Sequence, residues 1–447
     1  MARGAWLGNS LYVYKCASGA PLPAASRESI RDYFMGRKKV RQELRLTHYV
    51  SLSGFGGVEQ QFASFAARAA RRHGVQQSVV ACSTKVHAHH RDLLPNFEDW
   101  RYEKKLLGFK LGQHPGALRR SRYRWLGRHM EPDVALLWNR LDQQPRVLDA
   151  LGARRCLYWE HGSAWLAGDD DAKADVLSRL PALICNSQAA RRMLQLRWGY
   201  EGIVRVCLNG MRSRHVVTDF KHLPRNRPLH IGVASRLVPV KGTCLALHTL
   251  AELHRHGVDA TLSIAGDGPL RTALESLAQS LGIASKVRFL GVVKDMPMFF
   301  SEIDLLLHPA LREPFGVVAA EAGAMGCPVV CTAVDGLPEV VTDGVTGACV
   351  PPTADLARYR ELGGVTDGLP PVVYVPDLDT VQPPRVCEPA ALAKGVMAVI
   401  KDAEGFSRMS HAAIDDVATR FDFDQHVDEV MAAVREYHAT GTLEPAP

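Results

Sequence analysis

A single stretch, DLLLHPALREPFGVVAAEAGAMGCPVVCTAVDGLPE from Asp304 to Glu339, contains the pattern that decides the fold. It opens with a short apolar run of strand length, residues 304–309, which a proline closes. Good helix formers follow from Val317 and stop near Gly326. Residues 328–331 are a second apolar run of strand length. The stretch therefore predicts one strand–helix–strand unit of a parallel α/β sheet.

Two glutamates mark this unit as a candidate site. Glu313 lies in the loop after the first strand, at the edge of a parallel sheet where ligands bind. The helix that follows begins with free backbone N–H groups, which favour an anion such as a phosphate. Glu321 lies eight residues further on, about one to two turns into the helix. The pair could hold two parts of one ligand; the alternative is two surface glutamates flanking an ordinary helix.

These residues resemble those of the retaining glycosyltransferases of the GT-B fold, glycosyltransferase family four. The family's E-x7-E element appears as Glu313-Pro314-Phe315-Gly316 followed by Glu321. Its G-x-P-V and G-G-x-P-E elements appear at residues 326–329 and 335–339. The resemblance implies an α/β fold of the GT-B type: two facing Rossmann-like domains with a cleft between them, and a C-terminal helix that crosses back to the N-terminal domain.

The second half of the chain places two cations at one strand–helix junction. Arg236 ends the apolar run that begins at His230, and Lys241 follows five residues later. Such a pair suits a diphosphate, because fixed cations stabilise the charge that a leaving diphosphate gains. The family pattern G-R-L-x-x-x-K-G is matched here, with Ser235 where a glycine often stands. The alternative is a pair of basic surface residues.

The first half begins with a predicted strand at Leu44–Ser51 and a glycine-rich turn that contains Gly54, Gly56 and Gly57. Glycines let the backbone approach a phosphate closely. The spacing matches the G-x-G-x-x-G turn of a dinucleotide oxidoreductase poorly. Its G-G-V-E form is similar to the family loop that faces the donor diphosphate, which implies that Gly56 and Gly57 bind there. The alternative is a plain tight turn.

A histidine follows a second apolar strand of this half. The run Cys156–Trp159 leads into Glu160-His161-Gly162, so His161 is expected at the carboxyl end of a strand, in the cleft. In the resembling family a histidine here contacts the donor sugar near the reacting carbon. The alternative is a buried, hydrogen-bonded histidine.

The length of 447 residues is too great for one compact core and suits two domains. The expected parts are an N-terminal extension, an acceptor domain with the C-terminal helix, and a nucleotide-sugar-binding domain with an insertion. Their residues are 1–43 for the extension, 44–215 and 421–440 for the acceptor domain, 225–415 for the donor domain, and 352–388 for the insertion.

The composition is that of a soluble globular enzyme, with 47% hydrophobic and 23% charged residues. A net charge of +7 is only a mild basic excess and does not predict nucleic acid as a partner. Ten cysteines without a C-x-x-C pair are expected to be buried reduced thiols. The sequence contains neither a membrane-spanning apolar run nor a signal-peptide core. We therefore expect a cytoplasmic protein.

One stretch suggests contact with the cytoplasmic face of the inner membrane. Residues Lys104–Arg128 carry eight lysines and arginines with Tyr123 and Trp125 between them. Such a stretch could rest on anionic lipid headgroups or bind a polyanionic acceptor. The alternative is a solvated helix face.

The resemblance implies a role for each site residue. Arg236 and Lys241 bind the diphosphate, together with the backbone around Phe315, Gly316, Val317 and Val318. Glu313 orients the sugar hydroxyls, Glu321 binds the ribose, and His161 approaches the sugar from across the cleft. No metal or cofactor is expected, because the two cations take the place of Mg²⁺. Asp169-Asp170-Asp171 is interpreted as a solvated acidic run and not as a metal motif.

The function expected from the resemblance is transfer of a sugar, with retention of configuration, from a UDP- or GDP-linked donor to a glycan or lipid-linked acceptor. The pathway expected is bacterial lipopolysaccharide or exopolysaccharide biosynthesis. Two alternatives remain: a nucleotide-sugar epimerase of the same shape, and a catalytically silent nucleotide-sugar-binding partner of another enzyme.

Overall fold

The computed structural model describes residues 43–54, 56–106, 109–110, 116–211 and 219–444. The chain divides into two compact units, Met1–Glu43 and Leu44–Pro447, and everything below concerns the second. The extension expected at residues 1–43 lies outside the described residues, except for Glu43.

The N-terminal domain is built on a parallel sheet of seven strands in the order β3-β2-β1-β6-β7-β8-β9. Its central strands are buried on both faces and consist almost wholly of apolar residues, as a parallel sheet with helices on both sides requires. The strands are β1 Arg45–Val50, β2 Gln76–Ala81, β3 Asp99–Tyr102, β6 Val134–Trp138, β7 Cys156–Glu160, β8 Ala182–Cys185 and β9 Ile203–Val206. A separate hairpin contains β4 Lys105–Leu106 and β5 Phe109–Lys110.

Helices alternate with these strands. They are α1 Gly57–His73, α2 Ala88–Arg91, α3 Gly116–Met130, α4 Pro145–Leu151, α5 Asp170–Arg179 and α6 Gln188–Trp198. Asp169 caps α5 by accepting a hydrogen bond from the Ala172 N–H at 3.0 Å, which explains why this acidic run begins a helix.

The C-terminal domain repeats the plan with six parallel strands in the order β12-β11-β10-β13-β14-β15. The strands are β10 Leu229–Ala234, β11 Ala260–Ala265, β12 Val287–Gly291, β13 Leu305–His308, β14 Val329–Thr332 and β15 Gly347–Val350. The helices are α7 Thr243–Arg255, α8 Arg271–Ser280, α9 Met296–Glu302, α10 Val317–Ala324, α11 Leu337–Val340, α12 Leu356–Glu361, α13 Pro389–Val399, α14 Ala403–Arg420 and α15 Phe423–Thr440. The strand–helix–strand unit predicted at residues 304–339 is β13-α10-β14.

The last helix, α15, packs against α1 of the N-terminal domain. Arg72 pairs with Asp428 at 2.5 Å, and the Gln61 and His426 side chains meet at 2.9 Å inside the interface. The predicted GT-B architecture is thereby confirmed: two parallel α/β domains, with a C-terminal helix that returns to the first.

The segment 352–388 reaches the N-terminal domain. It contains α12 and an antiparallel hairpin, β16 Val373–Val375 with β17 Thr380–Gln382. At the turn of the hairpin, Asp379 accepts two hydrogen bonds from the Arg192 guanidinium of α6, at 2.7 and 2.6 Å. The hairpin therefore ties the two domains together.

None of the helices in the described residues is long and apolar enough to cross a membrane. The nine cysteines of the same residues are free thiols, and eight of them are buried.

Candidate functional site

The carboxyl ends of the two sheets face one another across a cavity of about 300 Å³. Nine of the eleven predicted site residues line it: Gly57, His161, Arg236, Lys241, Glu313, Phe315, Gly316, Val317 and Val318. Gly56 lies immediately before α1, and Glu321 lies further along α10; neither lines the cavity. The fold therefore brings together residues from both halves of the chain.

The centre of the C-terminal wall is an ion pair. Lys241 ends a short 3₁₀ turn after β10, and its Nζ lies 2.5 Å from Glu313 Oε2. His308, the last residue of β13, places its Nε2 3.1 Å from the same oxygen. Burial alone would raise the pKa of Glu313, but Lys241 and His308 together lower it below its ordinary value. Glu313 is therefore a fixed carboxylate at neutral pH.

The helix after Glu313 presents its amino end to the cavity. Gly316 has φ +106°, and a Cβ there would lie 2.9 Å from Leu337 Cδ2, so only glycine suits this turn. The first-turn N–H groups of a helix have no acceptor within the helix. The backbone of Val317 and Val318 consequently offers donors to an anion in the cavity.

On the N-terminal side, α1 also begins at the cavity. Glu59 Oε2 accepts a hydrogen bond from the Gly56 N–H at 3.1 Å and so fixes the turn that precedes the helix. A Cβ at Gly57 would meet no atom within 4 Å, so this glycine leaves open space beside the cavity.

His161 follows β7 and lies against two tryptophans. Its ring stacks on Trp138 with the centroids 5.3 Å apart and contacts Trp159 at 4.8 Å. Burial, with a smaller contribution from His426, lowers its pKa to about 3, so the imidazole is neutral. Its Nε2 is buried and has no hydrogen-bond partner. His161 is therefore buried, with a ring nitrogen that no described residue binds.

The cavity walls contain further buried polar atoms without partners. Besides His161 Nε2, they are Asn209 Oδ1, Ser235 Oγ and Arg312 Nε. Buried polar atoms in proteins are almost always hydrogen-bonded to protein or water, so four atoms without a partner among the described residues make this cavity a candidate ligand site. Asn209 and Arg312 were not predicted as site residues, although Arg312 lies immediately before the Glu313 motif of the sequence analysis.

Asp335 connects three parts of the site although it lies outside the cavity. Its carboxylate accepts hydrogen bonds from the Glu313 N–H at 2.9 Å, the Tyr374 N–H at 2.8 Å and the Trp165 indole N–H at 2.8 Å. It occupies the left-handed region at φ +49°, where the family pattern has glycine. Burial raises its pKa to about 7 against the opposing effect of these donors. Asp335 thus fixes the Glu313 loop to the hairpin and to the N-terminal domain.

Polar contacts close the two domains beside the cavity. The Glu339 carboxylate accepts hydrogen bonds from the N–H groups of Gln188 and Ala189, both at 2.7 Å, at the amino end of α6. The Ser187 hydroxyl donates to the Pro314 carbonyl at 2.6 Å. The final glutamate of the 335–339 motif therefore acts as a cap across the domain boundary.

The described residues contain no group of three or more histidine, cysteine or acidic side chains placed to hold a metal ion. The expectation of a metal-free site remains a prediction.

Residues 217–361 match the family model described as "Glycosyl transferases group 1". One curated relative is the lipopolysaccharide core biosynthesis glycosyltransferase LpsE of Rhizobium meliloti, 29% identical over 50% of this chain and 63% of its own length. Another is the GDP-mannose-dependent alpha-(1-6)-phosphatidylinositol monomannoside mannosyltransferase of Mycolicibacterium smegmatis, 37% identical over 31% of this chain and 37% of its own length. The matches thus span less than two thirds of these relatives.

Among solved structures, HepE of Anabaena in complex with UDP and glucose aligns with a TM-score of 0.65 at 19% identity. The alignment covers 88% of this chain and all of HepE. At this identity the likeness establishes the fold, which is that of GT-B glycosyltransferases.

Proposed function

We propose that the protein transfers a sugar from a nucleotide-diphosphate sugar to a glycan or lipid-linked acceptor, and the match of residues 217–361 to the model of group 1 glycosyl transferases supports this proposal. The observation that carries the proposal is the interdomain cavity. It combines a fixed Lys241–Glu313 pair, the amino end of α10 and four unpartnered buried polar atoms. Such a lining suits a ligand with an anionic centre and many hydroxyl groups.

The donor diphosphate lies between Arg236 and the amino end of α10. Arg236 is exposed at the cavity and forms no ion pair with any described residue. Lys241 neutralises Glu313, whose second oxygen can accept a hydrogen bond from a sugar hydroxyl. Glu321 lies further along α10, outside the cavity lining, and its contact with the ribose stays a prediction.

Transfer proceeds with retention of configuration and without a metal ion. Glu313 is the carboxylate that lines the cavity, but it is paired with Lys241 and His308, and this pairing lowers its reactivity as a nucleophile. The neutral His161 presents an unpartnered ring nitrogen that can bind a sugar hydroxyl without adding charge. The departing phosphate then accepts the proton of the acceptor hydroxyl on the same face of the sugar.

Two donor bases remain candidates. The HepE structure contains UDP, and the Mycolicibacterium relative uses GDP-mannose. LpsE acts in lipopolysaccharide core biosynthesis, which supports a bacterial surface polysaccharide as the product.

The acceptor is presented at the cytoplasmic face of the inner membrane, through helix α3. Leu118 and Trp125 are 56% and 43% exposed on this helix, close to Arg120, Arg124 and Arg128. Exposed apolar side chains beside arginines are typical of surfaces that rest on anionic lipids. The surface is narrower than the sequence suggested: Arg122 and Tyr123 are buried, and residues 107–108 and 111–115 lie outside the described residues.

The test is the change in melting temperature that UDP, GDP, ADP and their sugar conjugates produce. We expect one nucleotide to stabilise the wild type and to lose this effect in Arg236→Ala. Arg288→Ala, which removes an exposed arginine from β12 away from the cavity, should respond like the wild type. If none of the nucleotides raises the melting temperature of the wild type, the proposal is wrong.

A further inference from the structure

Arg312 is a partly buried cation that no described residue binds. It lies immediately before Glu313, lines the cavity, and forms neither a hydrogen bond nor an ion pair with a described residue. An ideal Cβ on Gly162, across the domain boundary, would lie 3.9 Å from its Nη2. A guanidinium carries five N–H donors, and the buried Nε of Arg312 has no acceptor among the described residues, which is costly, so this side chain requires another explanation.

The neighbouring carboxylates do not act as acceptors for Arg312, because other donors are already bound to them. Glu160 accepts hydrogen bonds from the Tyr158 hydroxyl at 2.8 Å and from the N–H groups of Gly162 and Ala164 at 2.5 and 3.1 Å. Glu313 is bound to Lys241 and His308, and Asp335 has three donors of its own. These carboxylates lie near enough to favour the charged form of Arg312, but none of them contacts it.

A second guanidinium faces the same cavity. Burial lowers the pKa of Arg312, and the positive charge of Arg236 contributes in the same direction. Neither arginine is paired, so each raises the energy of the other in the empty site. An anion between them removes this repulsion and provides acceptors for both.

The charges of the site favour a diphosphate as that anion. Lys241 was expected to share the diphosphate with Arg236, but its charge is already balanced by Glu313 at 2.5 Å. With Lys241 paired, Arg236 alone offers little compensation for the charge that develops on a leaving diphosphate. Arg312 can supply the second.

Building on the proposed function, we propose that Arg312 binds the donor diphosphate together with Arg236, while the Lys241–Glu313 pair faces the sugar. A guanidinium can bind two phosphate oxygens at once, which fixes the orientation of the leaving group as well as its charge.

The test compares nucleoside monophosphate and diphosphate binding by the full-length protein, using the base that the wild type prefers. The dissociation constant of the monophosphate divided by that of the diphosphate reports contacts to the second phosphate. We expect Arg312→Gln to reduce this ratio by roughly 10- to 100-fold, the effect of losing one charge-assisted contact, with Arg312→Lys in between. The matched control is Arg191→Gln, another partly buried arginine with an unpartnered Nε that does not line the cavity.

The melting temperature without ligand separates this role from a structural one. Since Arg312 has no protein partner, Arg312→Gln should melt at the wild-type temperature or above it, whereas removal of a structural arginine would lower it. Arg312→Lys retains the charge and gives a second folded variant for the binding measurement.

Three results would overturn the assignment. In the first, Arg312→Gln discriminates between the two nucleotides as the wild type does. In the second, it weakens both equally. In the third, it retains diphosphate affinity but loses a preference for a uronate-bearing over a neutral sugar nucleotide, which would place a sugar carboxylate at Arg312. Failure of the wild type to bind any nucleotide would instead contradict the proposed function itself.

Discussion

Replacement of Asp335 by asparagine tests the electrostatics of the site most directly, because it removes a buried charge without changing the size of the side chain. The asparagine oxygen can still accept hydrogen bonds from Trp165 and Tyr374. Its NH₂ group would then face the Glu313 N–H, which loses its acceptor. The loss of that bond costs about 1–3 kcal/mol at any pH.

The charge adds an effect that depends on pH. Asp335 has its ordinary pKa of 3.8 in the unfolded chain and a pKa of about 7 in the fold, because burial disfavours the carboxylate. Between these values the folded state binds more protons than the unfolded state, so its free energy of unfolding falls as the pH rises. The difference corresponds to about 4 kcal/mol, complete above pH 7. Asp335→Asn does not titrate and avoids this loss.

We therefore expect the variant to gain about 3 kcal/mol of stability relative to the wild type as the pH rises from 4.5 to 8, because about 1 kcal/mol of the effect is already present at pH 4.5. Urea unfolding of both proteins at four pH values in this range measures the difference in stability. The titration of Glu160 contributes equally to both proteins and therefore cancels. Asp267→Asn, at an exposed carboxylate of the same domain, should show no such trend. A difference that stays constant, or that moves in favour of the wild type, would refute the assignment of a raised pKa.

Three further results are expected. Lys241→Met should lower the free energy of unfolding by about 3 kcal/mol, because it leaves the Glu313 carboxylate without its cation. Adding Glu313→Gln should restore most of this loss in a denaturation assay. A double variant that is no more stable than Lys241→Met would contradict this. Gly316→Ala should abolish the stabilisation by nucleotide in the thermal assay. The added Cβ would clash with Leu337, and φ +106° is strained for alanine, so the amino end of α10 has to move. Unchanged binding would show that the nucleotide does not use this end. Replacing Leu118 and Trp125 together by serine should reduce sedimentation with anionic vesicles but leave nucleotide binding intact; equal sedimentation with neutral vesicles would remove the membrane surface from the proposal.

The sequence predicted the fold and most of the cavity lining because both depend on local patterns. Apolar runs of strand length and glycine-marked turns place Glu313, Arg236 and His161 at the carboxyl ends of parallel strands, where a Rossmann-like sheet collects its ligands. Whether a side chain is paired depends on distant parts of the chain. Spacing could not show that Lys241 reaches Glu313, or that three nearby carboxylates leave Arg312 without a partner.

The contact that the insertion makes with the N-terminal domain could not be predicted from the sequence either. The sequence predicted an insertion at residues 352–388 but not its contact with the N-terminal domain, where the hairpin meets α6 through Asp379 and Arg192. That contact joins two residues 187 positions apart, and neither belongs to a motif. Only the folded chain brings them together.

These contacts also determine how a donor can enter. A cavity of about 300 Å³ is at the lower limit of small-molecule sites, and a nucleotide sugar is a large ligand. Three hydrogen bonds cross the domain boundary beside the cavity. They run from Trp165 to Asp335, from Ser187 to Pro314, and from the amino end of α6 to Glu339. We therefore expect that entry of the proposed donor breaks some of these bonds, which re-form around it. Because Asp335 also holds the Glu313 N–H, domain opening and the position of Glu313 are coupled through a single carboxylate, which the glycine of the family pattern could not provide.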